Sequence, residues 1–238
     1  MTTFINMNLT NKYIHLLKLQ RPYIPGTTNE DIFDAYMQDV KQDYNDIKDY
    51  IVNSIQIVDL GAGVGGIDYL IKTFNPNVSV TLLDGTGVVE GEHYGYRDNI
   101  AFYSDNQVAQ DFFKSNNVTV DFLPADPTVI VKCDTLISLN SWGFHYPLEH
   151  YRVFLENNSE TINTIIIDTR IKYQNTAILE EFGFVHCKAL RRWGSKKQRM
   201  LFSKQPIAAC EPNNVLIAGL RNSSDTGPAC ESTAPDQA

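Results

Sequence analysis

The stretch Ile55-Gln56-Ile57-Val58-Asp59-Leu60-Gly61-Ala62-Gly63-Val64-Gly65-Gly66 decides how this chain folds. Its apolar first half reads as a buried strand, and the glycines that follow let the backbone turn tightly and come close to a ligand. Ile67, Leu70, Ile71 and Phe74 then recur at helical spacing until Asn75-Pro76-Asn77 ends the run. The next segment, Ser79-Val80-Thr81-Leu82-Leu83-Asp84, is again an apolar strand. Strand, glycine turn, helix and strand in that order predict a βαβ unit and a parallel sheet.

Gly61, Gly63 and Gly66 satisfy the G-x-G-x-x-G spacing, which in a dinucleotide site puts a pyrophosphate at the following helix N-terminus. Asp59 argues against that ligand. A carboxylate two residues before the first glycine gives the loop a negative charge, which attracts a sulfonium or an amino-acid ammonium and gains nothing from a pyrophosphate. The balance favours S-adenosylmethionine over NAD.

Three further segments fall where such a site needs them. Asp84 ends the second strand 23 positions after Gly61, near the roughly 20-residue spacing of a ribose-binding carboxylate; capping of whatever follows the strand is the other use for it. Val118 to Asp126 reads as a third strand ending in Ala125 and Asp126, and Asp126-Pro127 reads equally as a plain turn. Cys133 to Pro147 is a fourth strand running into the loop Ser141-Trp142-Gly143-Phe144-His145-Tyr146-Pro147. Ligands of open α/β sheets sit beyond the carboxyl ends of the strands, so this loop is expected to border the chemistry.

Asp59-Leu60-Gly61-Ala62-Gly63-Val64-Gly65-Gly66 resembles motif I of the class I S-adenosylmethionine-dependent methyltransferases. The resemblance runs over roughly residues 50 to 204 and implies a doubly wound α/β fold, a mostly parallel seven-stranded sheet closed by a C-terminal antiparallel hairpin. It implies S-adenosylmethionine as cofactor, held by Asp59, Gly61, Ala62, Gly63, Gly65, Asp84, Gly85, Ala125, Asp126 and Asn140, with Asp84 at the ribose and Ala125 and Asp126 at the adenine. Asn140 stands where amino-methylating enzymes carry an acid or amide before two prolines, but Ser141-Trp142 follows it here. The aromatic loop, with the upstream Tyr94-Gly95-Tyr96-Arg97, is similar to bacterial and viral small-molecule or sugar O-methyltransferases.

Transfer to a hydroxyl needs a base, and His145 is the first choice, with His150 and His93 behind it. Trp142, Phe144, Tyr146, Tyr94 and Tyr96 supply aromatic faces for a small organic acceptor or for packing. A formal charge of −8 and a pI near 5.1 disfavour nucleic acid and anionic membranes as partners. Lys188, Arg191, Arg192, Lys196, Lys197 and Arg199 form a basic hairpin, read as a solvated sheet edge guarded by charge rather than a nucleic-acid surface. Other functions that suit the fold are a nucleic-acid methyltransferase, a non-catalytic S-adenosylmethionine-binding subunit and, least, an NAD-dependent oxidoreductase.

Cys133, Cys187, Cys210 and Cys230 form no C-x-x-C pair and lie near no histidine at metal spacing, so no metal site is expected. With no leader-like N-terminus and no long apolar run, a cytoplasmic protein is expected. The oligomeric state is not read from these features. The expected organisation is a helical extension over 1–50, the Rossmann-like methyltransferase domain over 51–204 and a flexible tail over 205–238. Phe33, Tyr36, Met37, Val40, Tyr44, Ile47 and Ile51 mark the extension's amphipathic helix, which packs on the domain or also covers the substrate.

Overall fold

The structure is a computed structural model and describes residues 10–85, 104–173 and 176–207. Its strands are β1 (Gln56–Leu60), β2 (Ser79–Asp84), β3 (Asp121–Pro124), β4 (Thr135–Ser138), β5 (Thr164–Arg170), β6 (His186–Trp193) and β7 (Lys197–Ser203). They form one sheet in the order β3-β2-β1-β4-β5-β7-β6, with the first five parallel and β7 antiparallel to both β5 and β6. The expected fold class is therefore met, hairpin included.

Among the described residues six α-helices, α1 (Asn11–Gln20), α2 (Asn29–Ile51), α3 (Gly66–Phe74), α4 (Asn106–Ser115), α5 (Arg152–Asn158) and α6 (Ala177–Glu181), cover the sheet. Alternate strand residues face opposite layers, as the two-residue period of a strand requires. Ile57, Val80, Ile137, Ile166 and Leu201 join the core beneath α1 to α4, whereas Val58, Leu83, Leu136, Ile165 and Phe202 join the core with α5 and α6. Burial on both faces explains the uninterrupted Ile165-Ile166-Ile167 of β5.

The chain walks from β1 outward to β2 and β3 and then returns to β4 on the other flank of β1. The strand order thus reverses between β1 and β4, the switch point at which α/β sheets form a crevice at the strand carboxyl ends. The extension folds over this region. Thr28 and Asp31 close a capping box at the start of α2. The additional helix α1, which the sequence reading did not resolve, is capped by Thr10, whose side chain accepts from Tyr13 N at 3.2 Å.

Element ends moved where local signals were weak. β3 is shorter than the expected span from 118 to 126, and residues 194–196 connect the two hairpin strands. A register shift between Ala189 and Arg191 lets β6 continue through that basic segment. No described helix is long and apolar enough to cross a membrane. His93, Tyr94 and Tyr96, and the tail beyond residue 207, lie outside the described residues.

Candidate active site

Between β1 and α3 the backbone takes positive φ at Gly61 (79°) and Gly63 (63°), a conformation that side chains rarely tolerate. A Cβ on Gly61 would fall 2.5 Å from Ser141 Cβ, so the loop after β4 is packed directly against the turn. Gly61 N donates to Leu83 O at 2.7 Å, and Gly63 N donates to Asp84 Oδ2 at 2.5 Å. The carboxyl that ends β2 thus latches the glycine turn. Its other oxygen accepts from Gly85 N at 2.6 Å. Burial pushes Asp84 up to about 6, against the opposing pull of these hydrogen bonds.

The turn opens into a cavity of about 590 Å³, within the usual range for small-molecule sites. Asp59, Gly61, Ala62, Gly63, Asp84 and Asn140 all line it, as does His145. Gly65, Gly85, Ala125, Asp126 and His150 are not among its lining residues. Gly65 is the cap of α3, and Gly85 accepts from Ser104 Oγ at 3.1 Å. Asp126 is exposed and accepts from both Thr128 N and Thr128 Oγ1 at 2.8 Å, so the turn reading describes its position. Ala125 O accepts from Tyr151 Oη at 3.1 Å. His150 sits against the Tyr146 ring, 5.7 Å between centroids.

Of the loop aromatics only Phe144 reaches the cavity. Trp142 and Tyr146 are core residues. Trp142 Nε1 donates to Leu148 O at 2.9 Å, and the Tyr146 hydroxyl lies 3.1 Å from Ser141 Oγ. Residues 19–23, at the end of α1 and just beyond it, and Tyr36, Asp39 and Val40 of α2 supply a further wall. The extension therefore packs on the domain and also covers the crevice.

Asp59 does not carry a bare charge, which corrects the sequence reading. It is 2% exposed and faces the fully buried Asp68 of α3; burial first, then Asp68, raises its pKa well above the carboxylate range. Burial likewise pushes Asp68 up to about 7. Asp59 Oδ1 and both Asp68 carboxyl oxygens lack any donor among the described residues, so a hydrogen bond between the two acids requires one of them to keep its proton.

This pair makes the ligand-free fold pH-sensitive. The folded state binds protons that the unfolded chain releases above about 4, so stability is full below that pH and is lost as pH rises through 7. We expect urea denaturation to show the wild type on the order of 2–3 kcal/mol less stable at pH 8 than at pH 5. Asp68→Asn should flatten much of that slope; an unchanged slope would contradict the shared proton.

Behind the cavity lies a charge network that the sequence reading missed. Asp168 at the end of β5 is fully buried and accepts from Arg199 Nε at 2.8 Å, Arg199 Nη2 at 3.0 Å and Asn140 N at 3.1 Å. Lys197 reaches Asp168 at 2.9 Å and also bonds to Asn140 Oδ1. Arg199 continues to Asp43 at 2.8 Å and Asp46 at 3.0 Å on α2, and Arg21 joins Asp43 at 2.7 Å and Asp39. Burial alone would raise Asp43, but Arg199 and Arg21 outweigh it and hold its pKa below the usual range.

This arrangement fixes Asn140, whose φ of 57° is unusual for a residue with a side chain, at the cavity wall. It also corrects the picture of a solvated basic edge: β7 lies inside the sheet, Arg199 is fully buried, and Arg191 pairs with Asp46 at 3.2 Å. Arg192 and Lys196 remain exposed.

No family model matches the chain, and no curated protein matches it. Among solved structures, magnesium protoporphyrin IX methyltransferase from Synechocystis PCC 6803 with bound SAM is 17% identical, with a TM-score of 0.51 over 84% of this chain and 100% of that one. The same protein with bound SAH is 16% identical, with a TM-score of 0.52 over 79% and 93%. Together with the strand order, these likenesses establish that the chain has the fold of the class I S-adenosylmethionine-dependent methyltransferases.

Proposed function

We propose that this chain is a methyltransferase that uses S-adenosylmethionine and acts on a hydroxyl of a small molecule. The observation that carries the reading is the cradle at the switch point: an acid with an unpartnered buried oxygen, Asp59, beside a positive-φ glycine turn latched by a second acid, Asp84. The pattern suits a ligand that brings both a positive charge and a diol. When bound, S-adenosylmethionine supplies an electrophilic methyl group on a sulfonium.

In this reading the Asp59–Asp68 pair, which keeps one proton between two acids and so supplies one negative charge when the other proton is lost, faces the cationic part of the cofactor through Asp59; Asp84 accepts from ribose hydroxyls with the lone pairs that Gly63 and Gly85 leave over, and Gly61, Ala62, Gly63 and Asn140 form the wall. Gly65 and Gly85 act from behind, shaping the turn and holding Asp84. Ala125, Asp126 and His150 receive no contact role, because they do not line the cavity. The walls contributed by the α1–α2 connection exclude water, and His145 accepts the proton that the acceptor hydroxyl gives up. The pairing of Arg191, Lys197 and Arg199 with acids leaves little free basic surface and supports a small acceptor over nucleic acid.

The test is transfer of labelled methyl from S-adenosylmethionine to a panel of small hydroxyl and amine compounds. Label should appear on hydroxyl compounds. With the best of them, His145→Ala should lower kcat by about 100-fold or more, with S-adenosylhomocysteine affinity within about twofold of wild type. Unchanged kcat would remove His145 from the proton transfer, and label on amines alone would overturn the hydroxyl assignment.

A further inference from the structure

Among the described residues Arg21, Arg170 and Lys197 bring cationic side chains to the cavity, and two are engaged by carboxylates: Arg21 by Asp39 and Asp43, Lys197 by Asp168. Arg170, the last residue of β5, differs. Its Nε donates to Phe144 O at 2.7 Å, and its guanidinium lies 4.6 Å from the centroid of the Phe144 ring. Among the described residues no carboxylate pairs with it. A guanidinium held through Nε and stacked on a ring keeps its Nη1–Nη2 edge for a planar oxyanion, which that edge meets with two parallel hydrogen bonds.

The surroundings point the same way. Arg170 faces Lys197 across the β5–β7 ladder, and Lys197 Nζ lies 4.1 Å from the Trp193 ring centroid and 5.1 Å from that of Phe144. This part of the cavity thus combines two aromatic walls, one cation already neutralised by Asp168 and one that is not. His145, adjacent in sequence to Phe144, stands in the same wall.

We propose that Arg170 selects the methyl acceptor by binding an anionic group on it, and that the acceptor is a planar hydroxylated carboxylate whose acid group docks on Arg170 while its hydroxyl reacts. The proposal rests on the methyl-transfer reading for the reacting hydroxyl, though not for the anion site itself. Arg170 is a specificity residue here: it holds the end of the acceptor that does not react. The hydroxyl proton passes to His145 as before, and the carboxylate is unchanged by the reaction.

The experiment titrates the full chain by calorimetry with hydroxylated benzoates, each beside its primary amide and its phenyl phosphate counterpart, with and without S-adenosylhomocysteine. The acids should bind on the order of 10- to 100-fold tighter than their amides, the range expected for a charge-assisted bidentate contact. Arg170→Gln should abolish that preference, and Arg170→Lys should retain part of it, while the affinity for S-adenosylhomocysteine is unmoved in both. Amides binding as well as acids, or an acid preference that survives Arg170→Gln, would overturn the proposal. Phosphates bound in preference to carboxylates would overturn the carboxylate assignment. If S-adenosylhomocysteine fails to bind but the Arg170-dependent acid preference is present, the cofactor reading falls and the anion site stands.

Discussion

Replacement of Asp168 by alanine is expected to destabilise the protein by about 3–5 kcal/mol, the cost of leaving a buried charge without its partner. Arg199 is fully buried and donates two hydrogen bonds to Asp168, and Lys197 and the Asn140 N–H lose an acceptor at the same time. Asp43 and Asp46 still face Arg199 but do not reach Asn140. The variant should therefore lose cofactor affinity as well as stability, because Asn140 sits at the cavity wall in a backbone conformation that Asp168 helps to hold. For a chain of this length the melting temperature should fall by roughly 10 °C. Arg152→Ala, which breaks the exposed pair with Glu181, serves as the control and should melt with the wild type. Equal melting of the two variants would show that the network contributes no more than a surface pair.

Gly61→Ala carries the second large effect. The new Cβ would lie 2.5 Å from Ser141 Cβ, on a residue whose φ is +79°, and Ser141 is itself held by the Tyr146 hydroxyl at 3.1 Å. Neither side of the contact has a flexible end that can swing away. Steric strain and the unfavourable backbone together should cost about 2–4 kcal/mol. Binding of S-adenosylhomocysteine should fall below detection, since the turn that carries Gly63 N to Asp84 must move. Gly194→Ala provides the comparison: its φ is +59°, but nothing lies within 4 Å of the added carbon, so only the backbone penalty of roughly 1 kcal/mol remains. Denaturation of the two variants side by side separates close packing at the cradle from the general cost of a left-handed residue.

The parts of this fold written in local sequence were legible. An apolar strand, three glycines and an amphipathic helix announce β1, the turn and α3 within twenty residues, and Asp84 stands at the interval that a neighbouring parallel strand imposes. The Ile-rich β5 announces a strand covered on both faces. What stayed hidden depends on contacts between distant residues. Asp43, Asp168 and Arg199 each look like an ordinary surface charge in the sequence, and only the insertion of β7 between β5 and β6 buries them against one another. The charge on Asp59 was misjudged for the same reason, because Asp68 comes beneath it only when α3 packs on the sheet. Within the aromatic loop, sequence gives a set of rings but not their direction; Trp142 and Tyr146 turn inward and Phe144 turns to the cavity. Asp126 accepts from Thr128 within its own turn, the second of the two uses its Asp-Pro context offered. Arg170 gave no signal at all, since a lone arginine at a strand end becomes notable only when its neighbours are seen to be paired.

The cradle formed by Asp59, Gly61, Gly63 and Asp84 is proposed to receive a cationic methyl donor rather than a dinucleotide. The most direct test of that assignment is calorimetric titration of the full chain with S-adenosylmethionine, S-adenosylhomocysteine and NAD under one set of conditions. One equivalent of either sulfur compound should bind, with NAD giving no heat of binding. Saturable binding of NAD with none of the sulfonium compound or its demethylated product would contradict the account.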